Sequence, residues 1–281
     1  MIRLIKHVIV FLVFLNICLA EESAKKPAFL RINKDAQGNY KSFDTLVSRY
    51  KKAEVEVDLI AVVHVGEPEY YQHFNQEFEK YDALLYELIS EPGVDISAKQ
   101  DDANKSIITV LQQTLQKVLG LQFQLDIIDY KKANFVHADM TPQDFASSMK
   151  KKNESVWSIL LKLLMNSKEM SERNPQITPE IFMLQMLLSP DRKMAIRKIM
   201  ATQFQDIDAF LEVFEGPEGS TIITERNKVA MNVLKEQIAK GKQKLAIFYG
   251  AGHMPDMERL LTKSMGFEKQ SEDWIVAWNL S

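Results

Sequence analysis

Leu59-Ile-Ala-Val-Val63 passes without a break into His64-Val-Gly66-Glu67. An unbroken apolar run with polar flanks suits a strand covered on both faces, because a strand with one wet face would alternate. Ala83-Leu-Leu-Tyr86 has the same character and ends in Glu87. Between the two, Pro68 to Lys80 carries apolar residues at helical spacing, and a strand-helix-strand unit of this kind sets its strands parallel. Upstream, alternating segments on either side of Asp35-Ala-Gln-Gly38-Asn39 predict a hairpin. Downstream the order repeats: a helix from about Ile222 to Ala239, a strand from Leu245 to Tyr249, a helix from Pro255 to Met265, and a last strand near Trp274 to Trp278. Gly241 and Gly266 stand where helix stops belong, and Pro255 fits a first helical turn, where a missing N–H loses no partner. Strand and helix therefore alternate at both ends of the chain. That order predicts an α/β fold with a mixed, largely parallel sheet flanked by helices.

The middle of the chain reads differently. A long amphipathic stretch from about Ser106 to Tyr130 leads to a short strand, Asn134 to Ala138. Thr141-Pro142 then opens a helix in capping fashion, with Asp144 favourable near its start. From about 145 to 216 the pattern is helical throughout, most apolar in Trp157-Ser-Ile-Leu-Leu-Lys-Leu-Leu-Met165 and Ile181-Phe-Met-Leu-Gln-Met-Leu-Leu188. Neither run is long enough to span a bilayer. Residues 145–216 are thus expected to form an all-helical insertion or lid on one α/β domain covering 21–281. The insertion is rich in methionine. A core filled by adaptable thioether chains is the plainer reading of that content, and an adaptable pocket wall the sharper one.

Residues 1–20, MIRLIKHVIVFLVFLNICLA, have a basic start (Arg3, Lys6), an apolar run from Val8 to Leu15 and a short tail ending at Ala20. This is the layout of a secretory signal, with Cys18 and Ala20 as the small side chains before the cut. Ile17 before Cys18 argues against a lipid-modification site. The apolar run is too short for a stable transmembrane anchor, so an exported protein, periplasmic or extracellular, is expected. Cleavage there removes the only cysteine, which leaves no disulfide to form, and takes Arg3 and Lys6 away, moving the net charge from −3 to −5. Nothing in that balance suggests a nucleic-acid partner. Lys150, Lys151 and Lys152 read as a solvated helix end, and sequons begin at Asn104, Asn153 and Asn279.

The residues directly after the apolar strands suggest the chemistry. His64 and Glu67 come after the first, Glu87 after the second, and Gly250-Ala-Gly252-His253 after the third, with Gly66, Gly250 and Gly252 as turn residues. In open α/β sheets, ligands bind at the carboxyl ends of strands. Two imidazoles and a carboxylate converging there could hold a divalent metal, with His64, Glu87 and His253 as ligands, or act as acid and base around a water. Glu87 directly after an apolar strand needs a partner, because an unpaired buried carboxylate is costly. Arg226, on the apolar face of its helix, is the candidate. Glu225 beside it is either a second carboxylate or simply solvated. His137 and Asp139, two apart on a strand, share a face and could complete a site or lie on the surface; His73 reads as structural. No phosphate-binding loop, dinucleotide fingerprint, HExxH or GxSxG motif is present.

HVGEPEYY followed by LLYELI, then TERNKVAMNVL, then AIFYGAGHMPDMERLL, resembles the TraB/GumN family, related to TIKI-type peptidases and more distantly to erythromycin-esterase-like and ChaN-like haem-binding proteins. The resemblance covers both ends of the chain and not its helical middle. Of the two Gly-x-x-His motifs in the family pattern, Gly250 to His253 matches in full, whereas the first keeps His64 with Ala61 in the glycine position. By resemblance, His64, Glu87, Glu225, Arg226 and His253 fall on motif positions, with Asp139 a weaker match. It implies a hydrolase in which the His/Glu site, with or without a divalent metal ion, activates water against a peptide or ester bond in a peptide or small-molecule substrate. Arg226 would orient a carboxylate or stabilise an oxyanion. The alternative it leaves open is a non-enzymatic protein that sequesters a peptide or a haem-like apolar ligand under the helical lid.

Overall fold

A computed structural model of the chain describes residues 28–93, 119–155, 188–205 and 219–281. The signal segment 1–20 and the apolar run Trp157 to Met165 lie outside them, as does Ile181 to Leu187. The strands are β1 (Leu30–Lys34), β2 (Tyr40–Lys52), β3 (Val55–Val62), β4 (Val65–Gly66), β5 (Ala83–Tyr86), β6 (Gln122–Phe123), β7 (Phe135–His137), β8 (Lys244–Gly250) and β9 (Glu268–Asn279). The helices are α1 (Pro68–Glu77), α2 (Gln124–Ile127), α3 (Pro142–Lys151), α4 (Arg192–Gln205), α5 (Arg226–Ala239) and α6 (Met254–Arg259). No helix among the described residues is long and apolar enough to cross a membrane.

The main sheet runs β1-β2-β3-β8-β5-β7, with β9 also paired to β2. Its centre is parallel, β3 with β8, β8 with β5 and β5 with β7, and its β1-β2-β9 side is antiparallel. The expected mixed, largely parallel α/β sheet is therefore what the chain forms, hairpin included. The central strands bury both faces: Val57 to Val62, Ala83 to Tyr86 and Leu245 to Gly250 are buried without interruption. Each large apolar side chain removed from water there contributes roughly 1.5–3 kcal/mol. The helix between β3 and β5 presents Phe74, and Phe78 one turn on, to Phe248 of β8, with ring centroids 5.8 and 4.9 Å apart. On the antiparallel side Phe204 of α4 packs against Phe43 and Trp278.

Register brings the functional ends level. Val62 pairs with Gly250, and Tyr86 pairs with both Phe248 and His137. The chain thus leaves β3, β5, β7 and β8 along one edge of the sheet, with His64, Glu87, Asp139 and the Gly250–His253 turn coming next.

Two expectations need correction. The amphipathic reading of Ser106 to Tyr130 fails over its described part. Gly120 adopts φ +64°, a left-handed conformation that ends a helix, and the chain then pairs Gln122 and Phe123 with Gly66 and Val65 before the single turn of α2. Lys152 is not merely a solvated helix end, since its ammonium bonds Gly219 O at 3.2 Å and Glu225 at 3.3 Å. Where the 145–216 insertion is described, α3 continues to Lys151 and α4 covers Arg192–Gln205, so those parts are helical. α4 is fastened to the sheet domain by the buried Arg197, which donates to Leu119 O, Gly120 O, Asn279 O and the Glu67 carboxylate.

Candidate active site

His64 is solvent-exposed, yet the turn carrying it is held at every step. Val63 O accepts from the Tyr71 hydroxyl at 2.7 Å, His64 O from the Gln124 N–H at 3.0 Å, and Val65 O from the Trp278 indole at 2.6 Å. Glu67 N–H donates to Ala277 O at 2.9 Å. Gly66 leaves room for this: a Cβ there would lie 3.0 Å from Tyr70 Cδ1 and 3.3 Å from Tyr71 Cζ. The imidazole is oriented too, with Nδ1 3.0 Å from Gln124 Oε1. An amide oxygen only accepts, so Nδ1 carries the proton and Nε2 presents its lone pair. That nitrogen has no hydrogen-bond partner among the described residues.

Below it lies a buried ionic hub. Arg226 begins α5, directly after a π turn, Thr221–Glu225, in which Glu225 N–H bonds Ser220 O five residues back. Such turns recur at functional sites. Nε and Nη2 of Arg226 grip Asp139 at 2.9 and 2.6 Å, and Nη2 also donates to Glu87 Oε1 at 2.6 Å. Nη1 donates to Ile222 O and to His253 Nε2, both at 3.4 Å. A guanidinium has five N–H groups, and each of these has an acceptor. His253 is buried and oriented as His64 is, through an amide: Nδ1 lies 2.7 Å from Asn227 Oδ1, while Asn227 Nδ2 donates to Asp256 and to His253 O.

Glu87 joins the two histidines. Its Oε2 accepts the Gly250 N–H at 2.7 Å, and a Cβ on Gly250 would stand 3.2 Å from Glu87 Oε2, 3.5 Å from His64 Nε2 and 3.8 Å from His253 Cδ2. Gly250 has an unstrained backbone (φ −52°, ψ 139°), so glycine serves there for space and not for conformation. Burial alone would raise the Glu87 carboxyl, but His253, Arg226 and His64 outweigh it and hold it well below the usual carboxylate range. For Arg226 likewise, burial opposes the charge and the two carboxylates overcome it, raising the guanidinium further.

His64, Glu87, Arg226, His253 and Asp139 thus come together, and the expected pairing of Glu87 with Arg226 is formed. Glu225 does not join them. It precedes Arg226 by one residue, about 100° around a helix, and its carboxylate pairs with Lys228 at 2.8 Å and with Lys152. Glu67 pairs with Arg197 at 2.7 Å. His137 bonds Leu88 O through Nε2 at 2.7 Å and packs its ring on Tyr86, so it does not act as a pair with Asp139. Gly252 lies within the short Ala251–His253 turn. Sequence reasoning missed Gln124, Asn227 and Arg197. Asn227 could have been found, because it lies on the same face of α5 as the buried Ala230, Met231 and Leu234.

As a metal ligand set, His64, Glu87 and His253 do not fit as arranged. His253 Nε2 already accepts from Arg226, both Glu87 oxygens accept hydrogen bonds, and the guanidinium sets a fixed positive charge where a divalent ion would have to sit. No group of three His, Cys, Asp or Glu side chains among the described residues is placed to hold a metal ion. Nor is Arg226 available to orient a substrate carboxylate, because its donors are all committed. What the arrangement offers is one exposed, oriented imidazole above a buried and ionised support. Compared with known proteins, the chain matches no family model, no curated protein and no solved structure.

Proposed function

We propose that this chain is an exported hydrolase of the TraB/GumN type that cleaves a peptide or ester bond with His64 as general base. His64 Nε2 takes a proton from water, the water oxygen attacks the substrate carbonyl carbon, and the imidazolium returns the proton to the leaving nitrogen or oxygen as the bond breaks. The anionic Glu87 stabilises the positive charge that forms on His64, and Arg226, itself gripped by Asp139, helps keep Glu87 anionic. The observation that carries the reading is the contrast in one exposed side chain: His64 Nδ1 is satisfied by Gln124 Oε1 while Nε2 has no hydrogen-bond partner among the described residues.

The test is hydrolysis of a panel of peptides and esters by the mature protein beside His64→Ala. The expected loss in kcat/KM is about 10²–10⁴-fold, the usual contribution of a positioned general base, with an unchanged thermal midpoint because the side chain is exposed. A wild-type protein inert across the panel, or a variant as active as wild type, would overturn the reading. So would activity that a chelator abolishes and a divalent ion restores, since no step here uses a metal.

A further inference from the structure

We infer that Gln124 is a positioning residue for His64, fixing the Nδ1–H tautomer on which the general-base reading rests. Gln124 opens α2 and is 4% exposed. It holds His64 twice, by its backbone N–H on His64 O and by its side-chain oxygen on Nδ1, each at 3.0 Å. Its own amide is anchored in turn, with Nε2 donating to the Tyr130 hydroxyl at 2.6 Å. The Tyr130 ring is wedged edge-on against Tyr86 and Phe135, with centroids 5.2 and 5.7 Å away. Burial pushes the Tyr130 phenol up, so it stays protonated and neutral. The support behind His64, Tyr130 and Gln124, is therefore uncharged. A carboxylate behind an imidazole stabilises imidazolium, whereas an amide sets the tautomer without adding a charge behind the ring. Asn227 does the same for His253, so both imidazoles of the site are oriented by amide oxygens.

Two measurements test this on the full mature chain. In nitrogen-15 NMR of the histidine rings, wild-type His64 carries its proton on Nδ1, and Gln124→Ala loses that single tautomer. In rate profiles, Gln124→Ala lowers kcat by up to about 100-fold with little change in KM, the effect of a misoriented catalytic group. Gln124→Glu, of nearly the same shape, moves the acid limb upward by about 1–3 pH units, as a new anion beside the ring should. A merely structural glutamine would leave that limb in place. The proton found on Nε2 of wild-type His64, or an unmoved acid limb in Gln124→Glu, overturns the inference. The ring measurement needs no substrate and Gln124→Glu guards against a misfolded alanine variant. A chain inert on every substrate would thus sink the hydrolase reading alone, with the tautomer still deciding Gln124's role.

Discussion

His64 and His253 come after neighbouring parallel strands, and an amide oxygen holds Nδ1 of each, yet they face opposite circumstances. His64 is exposed and its Nε2 has no hydrogen-bond partner among the described residues. His253 is 5% exposed and its Nε2 sits between Arg226 and Glu87. On the general-base reading, two residues that look equivalent as the histidines of two Gly-x-x-His-like turns are therefore divided between acting and supporting. The division comes from what lies beside each turn. The β8 turn packs against α5, whose first residue is Arg226, whereas the β3 turn is met by the short β6–α2 segment, which reaches His64 only from the Nδ1 side.

The heaviest blow to the buried half is Asp139→Ala. It removes two of the five Arg226 hydrogen bonds and leaves those buried N–H donors without acceptors, which costs about 1–3 kcal/mol for each. Urea unfolding should show that loss, while His64→Ala at the exposed half stays within about 0.5 kcal/mol of wild type. Equal stability of the two variants would erase the contrast.

A smaller effect is expected from Gly250→Ala, which presses on both halves at once. The added methyl meets Glu87 Oε2 at 3.2 Å and His64 Nε2 at 3.5 Å, and these side-chain ends can yield, so the cost should be about 1 kcal/mol, the low end for overpacking. On the general-base reading these atoms belong to the base and its support, so kcat should fall further than stability does, read from kinetics and unfolding on the same preparation. A variant that loses stability and keeps its rate would mean that Gly250 faces no working group.

Much of this geometry was legible in the sequence. The continuous apolar runs of β3, β5 and β8 are long enough to mark strands, and the polar residue that ends each run marks where the site lies. The Glu87–Arg226 pair could be read from the cost of burying a lone carboxylate and from an arginine on an apolar helix face. Gln124 was not legible, because it falls in a stretch whose spacing imitates a helix and because a neutral amide has no signature of its own. Only Gly120 hinted at the break, and its positive φ appears only in three dimensions. Glu225 misled for the opposite reason. Adjacency to Arg226 in sequence suggested a shared role, but neighbours on a helix point in different directions, and Glu225 instead ties the Arg226 turn to Lys152 at the end of α3.

The division of labour between the histidines is tested most directly by limited modification of the folded chain with diethyl pyrocarbonate, mapping each imidazole by mass spectrometry while hydrolysis is measured. Activity should fall in step with modification of His64 while His253 stays unmodified until the chain unfolds. Activity that survives complete modification of His64, or that falls in step with His253, would contradict that division.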